Sequence, residues 1–178
     1  MALTVLLGGA RSGKSRWAVR LAGESGRPVT FVATAEARDA EMAGRLLRHR
    51  AERPAEWVTV EEPIRLTDAL RAIDPGRTVI VDCLTLWVSN LIEQEMDDRQ
   101  VHDVAREAAG VAVDGAGEVI AVSNEVGSGV VPMSELGRRY QDLLGEVNAL
   151  WVEHAARAAL LVAGRPLWLP AAPNEPLA

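Results

Sequence analysis

The chain is expected to fold as an α/β protein on a mostly parallel central sheet with helices on both faces, and three observations predict this. Short runs rich in β-branched residues recur from end to end, stretches of helical periodicity separate them, and a glycine-rich turn joins the first run to the first helix. The strand candidates are 3–7, 29–33, 57–60, 78–82, 118–122 and 160–163. A closing run at 165–169 is placed as an antiparallel edge strand, hairpinned to the run before it.

Helices fill the intervals. One covers 15–24 after the glycine-rich turn, and another begins near Leu84, where Asp82 is available as an N-cap. A long amphipathic helix runs from about 133 to 157, because Leu136, Tyr140, Leu143, Val147, Leu150 and His154 recur at intervals of three and four. That stripe reads as core or subunit interface, with His154 half-buried on it. His102 stands among Asp97, Asp98, Asp103 and Glu107 and reads as surface. The tryptophans at 17, 57, 87, 151 and 168 read mostly as core.

Composition narrows the class. With 178 residues and 48% hydrophobic content, the chain can bury one core, so residues 1–169 are expected to be a single domain and 170–178 a loose C-terminal tail. A net charge of -6 argues against nucleic acid or an anionic membrane as the main partner. Cys83 is the only cysteine, which rules out an internal disulfide and suits a reducing cytoplasm. No apolar run is long enough to span a membrane, and no signal-peptide pattern opens the sequence.

The glycine-rich turn carries the strongest functional signal. Gly8, Gly9, Ala10, Arg11, Ser12, Gly13, Lys14 and Ser15 fit the G-x-x-x-x-G-K-[ST] phosphate-binding loop, whose amides cradle nucleotide phosphates. Lys14 is the only lysine beside eighteen arginines. It supplies a compact ammonium where the planar fork of arginine would not substitute. Ser15 is placed to offer its hydroxyl to Mg2+, and Asp82, closing the run TVIVD, is the second candidate metal ligand.

Two further segments have chemical potential. On a helix, Arg45, Arg48 and His49 share one face and Arg53 follows a turn later. From these residues alone the segment is a solvated basic face, although cationic neighbours would keep His49 neutral and nucleophilic. Residues 123–132, SNEVGSGVVP, leave the carboxyl end of a strand, where ligands bind in open α/β sheets, and form a candidate lid or substrate loop.

Together GGARSGKS, HRAERPAEWVTVEE, DCLTLWVSNL and SNEVGSGVVP resemble the bifunctional adenosylcobinamide kinase / adenosylcobinamide-phosphate guanylyltransferase family, in order, from about residue 3 to 169. The expected fold is therefore a P-loop NTPase of RecA-like type. The resemblance implies phosphorylation of adenosylcobinamide by ATP or GTP, followed by transfer of GMP from GTP to adenosylcobinamide phosphate through a guanylylated histidine. It assigns that histidine to His49 and so overturns the solvated-face reading. It places nucleotide contacts at Gly8 through Ser15, at Ala33, Thr34 and Ala35, at Arg50, Ala51, Glu52 and Arg53, and at Glu61 and Asp82. Some relatives have glutamate at the last position, and some have serine where Ala35 stands. It also implies a homo-oligomer, a trimer with its site near a subunit boundary. Two other classes compete: a monofunctional small-molecule kinase with the same loop, and a GTP switch. The switch is disfavoured because its guanine-reading N-K-x-D element needs a second lysine.

Overall fold

In a computed structural model, residues 2–36, 53–115 and 117–171 are described, and seven strands form one sheet in the order β3-β2-β4-β5-β1-β6-β7. They are β1 (Leu3–Leu7), β2 (Val29–Ala33), β3 (Val58–Glu61), β4 (Thr78–Asp82), β5 (Glu118–Val122), β6 (Arg157–Val162) and β7 (Arg165–Leu169). All neighbours pair in parallel except β6 and β7, the expected antiparallel hairpin. The inner strands are continuous apolar runs because helices cover both of their faces.

The helices are α1 (Lys14–Glu24), α2 (Leu66–Ala72), α3 (Leu84–Glu93), α4 (Asp98–Asp114) and α5 (Glu135–His154). Alternation along the strands divides the core. Val5, Val32, Val81 and Ala121 face α2 to α5, with Trp87 and Trp151 fully buried among them. Leu6, Phe31, Ile80, Ile120 and Val122 face α1, against Ala18 and Ala22.

Several expectations shift. Edge strand β3 starts at Val58 rather than 57, and β6 starts at Arg157 rather than 160, because Arg157, Ala158 and Ala159 pair with Thr4, Val5 and Leu6 of β1. Pairing overrides the modest β-propensity of those residues. Asp82 does not cap α3: the N-cap is Cys83, without a side-chain cap bond. His154 is exposed rather than half-buried: it is the last residue of α5, and its Nδ1 lies 2.8 Å from the Leu150 carbonyl. At the other end of that stripe Leu136 is 61% exposed. Helix α4 carries a local signal, a capping box in which Asp97 accepts from the Gln100 amide and the Gln100 side chain accepts from Asp97 N.

Candidate functional site

The register of the sheet builds the site. Leu6, Val122, Asp82, Ala33 and Glu61 form one row across β1, β5, β4, β2 and β3 at the carboxyl ends of the strands. Leu6, Val122 and Ala33 face α1, so the Asp82 and Glu61 positions in that row face α1 too. At roughly 4.8 Å per strand, β3 stands about 19 Å from β1, a span that suits an extended nucleotide better than a phosphate alone.

At the β1 end, Gly8 to Gly13 turn the chain into α1. Gly13 is the N-cap in a left-handed conformation (φ 98°) with no side chain to cap the helix, and no acidic residue lies in the first turn. The first amides of α1 are thus offered to an anion, in the favourable direction of the helix dipole. Lys14 is buried to 7% exposure and donates to the carbonyls of Gly8 and Gly9 at 2.8 Å each, with Ser12 Oγ at 3.5 Å. Burial pulls its pKa below the ordinary 10.5, an effect that the Asp82 charge partly offsets. The sheet register sets Asp82 two strands from Leu6 of β1, on the α1 face at the end of the sheet where Lys14 begins that helix. Gly9, Ala10 and Arg11 are exposed, and Ser12 is buried at 9%.

A set of hydrogen bonds fixes the Asp82 end. The Thr34 hydroxyl donates to the Cys83 carbonyl at 2.7 Å and accepts from the Cys83 amide at 2.8 Å, while the Thr34 amide donates to the Asp82 carbonyl at 3.2 Å. Asn90, reaching back from α3, donates from Nδ2 to the carbonyls of Thr34 at 2.8 Å and Pro63 at 3.0 Å. The exits of β2, β3 and β4 are thereby tied together, and Thr34 acts through the backbone that carries Asp82. Cys83 is pushed up to about 11 by burial and then by the Asp82 charge, and stays protonated at neutral pH.

The guanidinium of Arg53 lies over the Phe31 ring, 3.3 Å from its centroid, with Nη1 3.5 Å from Thr59 Oγ1. Phe31 and Thr59 pair across β2 and β3 on the α1 side, so Arg53 joins the same face as Asp82 and Glu61. Ala35 is half-buried beyond Thr34, and Glu61 is exposed at its strand end. His49, Arg50, Ala51 and Glu52, with Arg45 and Arg48, lie outside the described residues.

The segment after β5 begins inside this site. Glu125 N donates to the Gly8 carbonyl at 3.1 Å, and Asn124 N donates to Thr85 Oγ1 at 2.7 Å. The Glu125 carboxylate then accepts from the amides of Gly127 and Ser128. Beyond them, Val130 (95% exposed), Val131, Met133 (98%) and Leu136 turn apolar side chains to solvent. Thr85 and Asn90 have no local sequence signal; only their distance in the fold from 34 and 124 gives them their part.

A family model described as cobinamide kinase / cobinamide phosphate guanyltransferase matches residues 4–169. This chain belongs to that family.

Relatives within the cobinamide kinase / guanyltransferase family are similar over nearly their whole length. The bifunctional adenosylcobalamin biosynthesis protein CobP of Pseudomonas aeruginosa is 49% identical over 171 residues, covering 95% of this chain and 98% of that protein. The Escherichia coli protein CobU, of the same description, is 35% identical over 175 residues, covering 91% and 96%. Among solved structures, a Pyrococcus horikoshii OT3 protein has a TM-score of 0.59 at 10% identity, covering 97% of this chain and 88% of its own. The RadB recombinase scores 0.50 at 15% identity, covering 89% and 73%. These likenesses concern the fold, an α/β P-loop architecture. The family uses nucleotides and acts on cobinamide and its phosphate. Among the described residues no helix is long and apolar enough to cross a membrane.

Proposed function

We propose that the chain phosphorylates adenosylcobinamide with ATP or GTP and then transfers GMP from GTP to the new phosphate, giving adenosyl-GDP-cobinamide. The observation that carries this reading is the glycine-rich loop closed around buried Lys14 at the same carboxyl end of the sheet as Asp82, within a chain matched by the family from residue 4 to 169. Lys14 and the first amides of α1 grip the phosphates, while Arg53 and Glu61, across the same face, hold the nucleoside end. Ser15 and Asp82, one hydroxyl and one carboxylate, fit Mg2+, which takes few protein oxygens beside substrate phosphates. When bound, the metal would neutralise phosphate charge. For the kinase step, Asp82 serves as base or positioning alone suffices.

Guanylyl transfer follows two displacements. A neutral His49 nitrogen attacks the α-phosphorus of GTP, a P–N bond forms, the bond to the bridging oxygen breaks and pyrophosphate leaves. A phosphate oxygen of adenosylcobinamide phosphate then attacks the same phosphorus, the P–N bond breaks and His49 is regenerated. The segment from Gly127 to Leu136 faces the corrinoid. Residues 1–169 work as one unit, in a cytoplasmic homo-oligomer of trimeric type; the lone Cys83 suits that compartment, and residues 172–178 of the expected tail lie outside the described residues.

The test is incubation with Mg2+ and GTP labelled at the α-phosphate, then denaturation. Acid-labile, alkali-stable label on wild-type protein, lost in His49→Ala with kinase activity retained, is the expected result. Bound GTP without protein-held label would favour the monofunctional kinase.

A further inference from the structure

Two of the three glycines of the phosphate loop, Gly8 and Gly13, are shaped as much by the last hairpin as by any phosphate. A Cβ on Gly8 (φ 151°) would stand 2.6 Å from the Leu161 carbonyl oxygen of β6, and a Cβ on Gly13 would stand 3.1 Å from the Gly164 Cα. Gly164 lies in the two-residue turn that joins β6 to β7. Ala163 (φ 50°) and Gly164 (φ 80°) are both left-handed there, as a tight hairpin with the right-handed strand twist requires. A non-glycine residue in that conformation is an outlier that the surroundings must hold in place.

The turn uses both polar atoms of Gly164 on the loop and its helix. Gly164 N donates to the Ser12 carbonyl at 2.9 Å, and the Gly164 carbonyl accepts from Trp17 Nε1 at 2.8 Å. Trp17 is one turn along α1 from Lys14, and its ring is held from the other side by Arg20, whose guanidinium lies 4.9 Å from the ring centroid. The turn therefore closes a ring: loop residue 12, hairpin residue 164, helix residue 17 and back to Gly13, whose carbonyl accepts from Trp17 N at 3.0 Å. Ser12 also presents its hydroxyl to Lys14.

We infer that Trp17 and the Ala163–Gly164 turn are positioning residues for triphosphate binding, holding the phosphate loop in its binding shape from the far end of the chain. The inference rests on reading the loop as a triphosphate site. Preorganised amides lose less freedom when they take up an anion, so loosening the ring weakens affinity for the phosphates whatever nucleoside they carry.

Equilibrium binding of inorganic tripolyphosphate and of Mg·GTP to the full chain tests it. Trp17→Phe keeps an aromatic ring on α1 but removes the pyrrole part of the indole with its N–H; it should raise both dissociation constants by the same factor, about fivefold, the equivalent of about 1 kcal/mol. Gly164→Val, a β-branched residue forced to positive φ, should weaken both by more, and Gly164→Asn, which tolerates that conformation, should stay within twofold of wild type. Unchanged affinities in Trp17→Phe, with only a lower melting temperature, would show a purely structural contact and overturn the inference. A loss confined to GTP would overturn it too, by placing the effect at the nucleoside. Where Gly164→Val fails to fold, Trp17→Phe alone decides. Wild-type protein that binds neither ligand would instead sink the triphosphate reading of the loop.

Discussion

The two stretches of chain that meet at Gly8 are built in opposite ways. On the phosphate side, the loop from Gly8 to Ser15 is clamped by β6, by the 163–164 turn and by its own lysine, and the Asp82 end is tied through Thr34 and Asn90. The stretch after β5 shares only its first residues with that framework; past Ser128 it turns Val130, Val131 and Met133 to solvent. A donor of fixed chemistry can be held by backbone amides and a few charges, which reward rigidity. A large acceptor that must enter and leave is better met by apolar side chains on an irregular segment.

Lys14→Ala should break the rigid side most severely. Removing the ammonium from a site that neutralises developing phosphate charge is expected to lower both kinase and guanylyl transfer by about a hundredfold or more. Steady-state rates of each half-reaction, with the fold checked by circular dichroism, measure this. Loss of one half-reaction alone would separate the two sites that we have placed together.

A smaller effect is expected at Thr34. Thr34→Val keeps the shape but leaves the Cys83 amide without its partner and the Cys83 carbonyl with the Trp87 amide alone, at a cost of about 1–3 kcal/mol at this buried position. If part of that reaches Asp82, the Mg2+ concentration for half-maximal activity rises several-fold, and Thr34→Ser restores it. A variant that is less stable yet unchanged in its Mg2+ dependence would confine Thr34 to structure.

The open segment has a contrasting test. Val130→Ser with Met133→Ser removes exposed apolar surface and costs the free protein little, since neither side chain is packed. KM for the corrinoid is expected to rise a few-fold while affinity for GTP stays put. A matching loss of GTP affinity would erase the distinction between the two stretches.

The same contrast explains what could be read from the sequence. The phosphate loop was legible because its chemistry lies in backbone and spacing: a mostly buried strand, two glycines and a lysine in a fixed interval. The inner strands were legible as continuous apolar runs. Partners far apart in sequence were not. Trp17 and Gly164 are 147 residues apart and Thr34 and Cys83 are 49 apart, so nothing local marks either contact. The start of β6 at Arg157 depended on its neighbour β1, and the exposure of His154 on where α5 ends. Asp97 and Gln100 are a different case, a local helix-start signal visible in the sequence itself.

The smallest expected effect concerns Cys83, which sits between the two stretches. Its ordinary pKa of 9.0 is raised to about 11 by burial and by Asp82. Below pH 9 both folded and unfolded chains hold the thiol proton, and the stabilising contribution is complete. Between pH 9 and 11 the unfolded chain releases that proton while the folded chain keeps it, so stability falls as pH rises. Lys14, shifted below 10.5, works the other way, because the folded chain sheds its proton first and gains stability as pH rises toward 10.5. Cys83→Ala removes the first term and leaves the second. Urea denaturation at pH 8, 9 and 10 should therefore show the variant losing less stability than wild type, by on the order of 1 kcal/mol at pH 10. Parallel pH profiles would mean that the thiol is wetter than its neighbours imply, and that the rigid side of the site ends before Cys83.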